Sequence, residues 1–285
     1  MTLRRLGQFV GVIIVCIAVV LAGQSATSAT PPRATYYVAL GDSLSQGFMP
    51  LTGDTNEGYV DQLYAHLRQN QPQLQLVKLG CSGETTTTMR QGGICTYADA
   101  ASQLDAAVTF LRTHQGSVKY LTIDIGANDI DPCAASGVID QTCVQESLAT
   151  IGRNLLAILL ALRQASGLGP QYAGMTYYDP FLAAWLLGPA GQALARQSVQ
   201  IANKLNRLET FEYRIFGVRV ADVSGAFQTN NFTEVPFDSG TVPLNVATIC
   251  ALTFECTPFH NIHPNVQGYA VIASAFEAVV SAKQD

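Results

Sequence analysis

The chain reads as an α/β protein with a single three-layer α/β/α domain. Two observations predict it. Short, continuous apolar or β-branched runs recur along the sequence, and amphipathic helical stripes separate them. Runs without polar alternation belong to strands buried on both faces, as in a parallel sheet covered by helices. Strand–helix alternation gives the βαβ units that build such a sheet. With 48% hydrophobic and 13% charged residues, the chain has a sizeable core available and lacks the composition of a disordered one.

Residues 1–30 are set aside as a secretory signal. Arg4 and Arg5 precede an apolar run from Phe9 to Gly23, and small residues follow in Ser25-Ala26-Thr27-Ser28-Ala29. The run falls short of the roughly 20 residues that a spanning helix needs. An uncleaved anchor is the competing reading. The folded domain is expected over residues 31–285, outside the cell.

Within it, strands are expected at Thr35–Leu40, Leu74–Leu79, Tyr120–Ile125, Tyr172–Tyr177 and Phe216–Val220. Helices fill the gaps. Val60, Leu63, Tyr64 and Leu67 mark the first apolar face, and Ala101, Leu104, Val108 and Leu111 the second. Leu148, Ile151, Leu155, Ile158 and Leu162 mark the third; Leu194, Ile201, Leu205 and Leu208 the fourth. Val266, Tyr269, Ile272, Phe276 and Val280 mark the last. Two segments break the alternation: the apolar Phe181–Leu187, and a long connection from Ala226 to Asn261. Both are expected to line a substrate cleft, with core packing the alternative for the first.

Seven cysteines agree with export. Cys16 lies in the signal, and the other six fall as three close pairs. Short loops make Cys81–Cys95, Cys133–Cys143 and Cys250–Cys256 the expected disulfides. None of these pairs has CxxC spacing and no histidine stands at ligand spacing, so no metal is expected. Asp124, Asp129 and Asp131 are expected to be solvated or capping groups. A net charge of −5 without Lys/Arg clusters argues against nucleic acid. Strings for nucleotide or zinc chemistry are absent, and no cofactor is expected.

The chemistry-bearing residues sit at strand exits, where parallel sheets bind ligands. Ser43 follows the first strand in Gly41-Asp42-Ser43-Leu44, Gly83 follows the second in Ser82-Gly83-Glu84-Thr85, and Asn128 the third in Gly126-Ala127-Asn128-Asp129. A serine hydroxyl needs a base to become a nucleophile, and histidine suits the role. Of four histidines, His66 and His114 fall on or at the end of expected helices, and His260 and His263 flank the start of the last one. His263 is the better base, because Pro264 and Asn265 fix the backbone after it. Backbone N–H groups of Ser43 and Gly83, with the Asn128 amide, can face a developing oxyanion.

These four segments, ending in His263-Pro264, resemble the four sequence blocks of the SGNH/GDSL hydrolases, in the family's order, over residues 36–270. The resemblance implies a flavodoxin-like fold with a five-stranded parallel sheet. It implies Ser43 as nucleophile, His263 as base, and Ser43, Gly83 and Asn128 as the oxyanion hole. It also implies a secreted esterase or lipase. One departure stands out. The family places an aspartate three residues before the histidine, and this chain has His260 there and Asn261 next. The expected acceptor for the His263 Nδ1–H is therefore a backbone carbonyl at His260, with Asn261 and Asp238 as lesser candidates. The expected partner is a small-molecule or lipid ester, met by a monomer, with a lipid surface as a candidate contact. The Phe181–Leu187 run with Phe227, Phe232 and Phe237 favours acyl chains. A carbohydrate O-deacetylase, with those aromatics stacking on sugar instead, and an inactive lipid- or wall-binding module are the alternatives.

Overall fold

A computed structural model describes residues 34–134, 137–238 and 240–280, all within one compact unit. The signal expected over residues 1–30, with Cys16, lies outside the described residues. In chain order, β1 (Thr35–Gly41) leads into α1 (Ser43–Gln46), then α2 (Tyr59–Asn70) and β2 (Leu74–Lys78). Helices α3 (Thr86–Gln91) and α4 (Gln103–Thr113) precede β3 (Val118–Asp124) and α5 (Ala127–Ile130). A 3-10 turn at Asp131–Ala134 leads to α6 (Gln141–Ser166) and β4 (Gln171–Met175). A second, Pro180–Leu187, leads to α7 (Pro189–Ile215), β5 (Arg219–Ala221) and α8 (Val223–Ala226). A hairpin, β6 (Glu234–Phe237) and β7 (Gly240–Pro243), precedes α9 (Leu244–Leu252). A ribbon, β8 (Thr253–Phe254) with β9 (Asn261–Pro264), delivers the chain to α10 (Val266–Glu277).

The main sheet is parallel, in the order β2-β1-β3-β4-β5. Strand order reverses direction at β1, which pairs with β2 on one side and β3 on the other. That is the switch point where doubly wound sheets bind ligands beyond their carboxyl ends.

Strand alternation splits the core into two layers. Tyr37 and Ala39 of β1 pack with Leu63 and Leu67 of α2 and with Tyr269, Ile272 and Phe276 of α10. Val38 and Leu40 face the other way, toward Ala107 and Leu111 of α4 and Leu155, Ile158 and Leu162 of α6. The apolar stripes read from the sequence are thus largely the faces that the sheet covers, except that Ala101 precedes α4 and both it and Val266 are exposed.

Capping sets the helix starts. Asp140 accepts from the N–H groups of Thr142 (2.9 Å) and Cys143 (3.1 Å) to open α6. Thr85 and Thr88 form a reciprocal capping box on α3. Asn265 accepts from Gly268 N–H at 2.9 Å to open α10.

Three expectations need correction. The fifth strand begins three residues later than the apolar run Phe216–Val220. Phe216 caps α7 instead, and Gly217 turns the chain at φ 63°. The connection from Ala226 to Asn261 is built of β6, β7, α9 and β8. Of its phenylalanines, Phe227 is fully buried and stacks on Tyr178 at 4.5 Å, and the half-buried Phe232 leans on Trp185. Asp124, at the end of β3 beside Gly41, is fully buried and not solvated.

Candidate active site

Ser43 is the first residue of α1, directly past the switch-point strand β1. Asp42 caps that short helix, its Oδ1 accepting from Leu44 N–H at 2.9 Å. Below it lies Asp124, whose Oδ2 accepts from Asp42 N–H at 3.2 Å and whose Oδ1 accepts from the Tyr59 hydroxyl. Tyr177 O–H donates to Asp42 Oδ2 at 3.1 Å. Burial pushes both carboxyls up, Asp42 to about 6, and their mutual repulsion raises Asp124 further. Gly41 is needed here. Its φ is +145°, and a Cβ would lie 2.4 Å from Asp124 Oδ1.

His263 comes from β9, outside the main sheet and 220 residues away, and its Nε2 lies 2.7 Å from Ser43 Oγ. Two tyrosines hold the neighbourhood. Tyr178 O–H donates to the Ile262 carbonyl at 2.7 Å, and Tyr269 O–H to the Phe48 carbonyl at 2.7 Å. The Phe48 ring lies against the imidazole, centroids 4.5 Å apart. Burial lowers the His263 pKa to about 4, against a weaker opposing pull from Asp54. The neutral imidazole is therefore the resting form across the neutral range.

The acceptor for its Nδ1 is the Asn261 side chain, not the His260 carbonyl. Asn261 Oδ1 lies 2.7 Å from His263 Nδ1 and also accepts from the His263 backbone N–H at 3.1 Å. The second bond fixes which end of the amide is oxygen, because a backbone N–H needs an acceptor. Nδ1 then carries the proton, and Nε2 is left as acceptor for the serine hydroxyl. The reason the carbonyl loses lies in the turn. His260 sits at φ 44° and donates its own N–H to the Thr257 carbonyl at 3.1 Å, while Asn261 makes a side-chain turn onto the residue two ahead. An asparagine two residues before the histidine was the signal available in sequence.

The expected oxyanion donors divide. Asn128 lines the cavity beside Ser43. One N–H of its amide donates to the Glu84 carbonyl at 2.9 Å, which leaves its second N–H. The Ser43 N–H opens α1, where helix geometry supplies no partner. Gly83 sits on a turn at φ 85°, and no hydrogen bond to its N–H is found among the described residues. It does not line the cavity.

Sequence reasoning missed the support beneath these groups. Gln103, fully buried at the start of α4, accepts from Gly41 N–H at 2.7 Å and donates to the Gly41 carbonyl at 2.9 Å and to Glu84 Oε2 at 3.0 Å. Glu84 in turn receives Asn128. A glutamine inside an expected helix carries no motif, so nothing in the sequence marks it.

The cavity opens at Ser43 and has a volume of about 80 Å³. Ile130, Ile139, Ile201, Leu205 and Phe181 are among its apolar walls. Phe181–Leu187 thus serves both expected purposes, since Leu182 and Trp185 pack in the core. Phe227, Phe232 and Phe237 do not line it, nor does any other described residue between 226 and 261. Disulfides join Cys81–Cys95, Cys133–Cys143 and Cys250–Cys256. The second closes the wall between Asp131 and Val144, and the third closes the loop ahead of β9.

Solved structures resemble this one at low sequence identity. An extracellular lipase from Streptomyces rimosus aligns with a TM-score of 0.59 at 17% identity, covering 87% of this chain and 100% of that one. A phospholipase A1 from Streptomyces albidoflavus gives 0.57 at 16%, covering 87% and 100%. An α/β hydrolase from the metagenome of Lake Arreo, Spain, gives 0.53 at 21%, covering 87% and 96%. At these identities the likeness establishes the fold, an α/β sandwich around a five-stranded parallel sheet. No curated relative matches the sequence. A family model does, over residues 39–271, from the end of the first strand into the last helix, and by that match the chain belongs to the GDSL-like lipase/acylhydrolase family.

Proposed function

We propose that the protein is an extracellular serine esterase or lipase acting as a monomer on small-molecule or lipid esters. The 2.7 Å approach of Ser43 Oγ to His263 Nε2 carries the proposal. Ser43 Oγ attacks the ester carbonyl as its proton passes to Nε2. Asn261 Oδ1 receives the Nδ1–H of the imidazolium and holds the ring in place. The N–H groups of Ser43 and Gly83 and the free amide N–H of Asn128 take the oxyanion; losing one such donor lowers the rate by about 10²–10³. His263 then protonates the departing alcohol, and water, deprotonated by the same nitrogen, releases the acid. Three disulfides and the S. rimosus relative, an extracellular lipase, support export. The signal over residues 1–30 belongs to the same proposal.

Phe227, Phe232 and Phe237 do not line the cavity and so favour neither acyl chains nor sugar; the apolar wall that includes Phe181 is what supports an acyl chain over the deacetylase alternative. An inactive binding module has no use for a serine paired to a neutral, oriented imidazole. The test is turnover of a chromogenic short-chain ester, with fluorophosphonate labelling of the active serine. Wild type turns over and labels, and Ser43→Ala does neither. Equal turnover by the two proteins ends the proposal.

A further inference from the structure

Three carboxylates line the cavity, and their surroundings differ. Asp42 is occupied by Leu44 N–H and the Tyr177 hydroxyl. Asp179 is occupied by Phe181 N–H at 3.0 Å and the Ser198 hydroxyl at 2.7 Å, and so caps the 3-10 helix Pro180–Leu187. The Asp131 carboxyl has neither hydrogen-bond nor ion-pair partner among the described residues; the residue's backbone N–H is taken by the Ala127 carbonyl. Its side chain is partly accessible and forms part of the cavity lining. The described lining contains no lysine or arginine. Burial and the nearby Asp42 and Asp179 carboxyls push Asp131 up to about 7.

A carboxyl without partners in an apolar cavity is costly, and a ligand group that satisfies it recovers that cost. Catalysis as proposed above does not use it: Ser43, His263 and Asn261 are complete without Asp131. Glu209 is also buried with both oxygens unpartnered, but it lies beneath Gly126 and does not reach the cavity. Asp131 is therefore the unsatisfied group that a substrate can meet.

We propose that Asp131 sets substrate specificity by selecting esters whose acyl part carries a hydrogen-bond donor, a hydroxyl or a protonated amine. The inference rests on the serine-hydrolase reading and deepens it. An unsubstituted acyl chain fills the walls but leaves the carboxyl bare. A donor-bearing chain fills the same walls and pairs with it. Sites built to hydrogen-bond a substrate group reject the analogue lacking it, because their own polar group is then stranded.

The experiment uses nitrophenyl esters of one acyl length, unsubstituted or carrying a hydroxyl or an amino group at each successive carbon. Wild type is expected to prefer at least one substituted ester by about tenfold or more in kcat/KM. Asp131→Leu is expected to reverse that preference, gaining on the unsubstituted ester and losing the substituted one. Asp131→Asn, close in shape and still able to accept, is expected to keep the hydroxyl preference and lose the amino one. Wild type that turns over the unsubstituted ester and favours no substituted one overturns the inference and leaves the hydrolase reading standing. So does a selectivity that stays the same in both variants. No turnover of any ester and no fluorophosphonate labelling overturns the hydrolase reading, and this inference with it.

Discussion

Exchanging Asn261 for aspartate places a full negative charge where the structure has a neutral amide oxygen, 2.7 Å from His263 Nδ1. Opposite charges about 4 Å apart attract by about 4 kcal/mol at the effective permittivity of a protein surface. Asn261 and His263 are both partly exposed, so solvent screening reduces this to about 2–3 kcal/mol. At about 1.4 kcal/mol per pKa unit, the imidazole rises by about two units. Burial holds the wild-type imidazole at about 4, so the variant titrates near 6. The assay is kcat/KM against pH on a chromogenic ester, since its acid limb follows the free enzyme's base. The limb is expected near pH 4 in wild type and near pH 6 in Asn261→Asp, with the variant losing activity at pH 5. Asn261→Ala removes a charge-assisted hydrogen bond of about 1.5–3 kcal/mol and is expected to slow the reaction about 10- to 100-fold at pH 8. Superimposable acid limbs, with Asn261→Ala as fast as wild type, would refute the assignment and return the role to a backbone carbonyl.

Two further outcomes follow from the buried groups. Asp42, Asp131 and Asp179 have folded-state pKa values of about 6, 7 and 7, and Asp124 and Glu209 are raised further, so the folded state holds protons that the unfolded chain releases above about 4. Their contribution is complete below the unfolded carboxyl pKa and is lost as pH rises through 6 to 7. The single lowered histidine works the other way between about 4 and 6.5, against several carboxyls. Thermal melts are therefore expected to give a higher Tm at pH 5 than at pH 8, and the reverse order would contradict the burial of these carboxyls. Gly41→Ala forces a Cβ to 2.4 Å from Asp124 Oδ1 at a φ of +145°. Backbone strain at such a position costs about 1–3 kcal/mol, seen as a lowered denaturant midpoint with loss of ester turnover; an unchanged midpoint would show that the Asp124 pocket yields.

Where the sequence was legible, a single periodicity or a tight turn decided the matter. The β1 run Thr35–Leu40 and the stripe of α6 read correctly because period and burial coincide. Ser43 could be placed because it leaves the switch-point strand, and His263 because Pro264 and Asn265 start the last helix just after it. The three disulfides followed from short loops. Failures came where tertiary contact overrides local pattern. Phe216 looks like strand and ends a helix. Phe227 and Phe232 look like cleft residues and are taken up by Tyr178 and Trp185. Asp124 looks like a solvated or capping group and is fully buried at the end of β3, beside Gly41. Asn261 was outweighed by His260, because a side-chain turn of two residues is geometry rather than composition. Gln103 was invisible, since its partners are main-chain atoms from other elements.

Gln103 has a further meaning. Around the nucleophile, carboxyl after carboxyl gains or loses its proton between weakly acidic and neutral conditions. An amide has no such proton to exchange. The joint that grips both main-chain groups of Gly41 therefore keeps the same grip throughout, and the exit of β1 stays anchored while negative charge builds up around it.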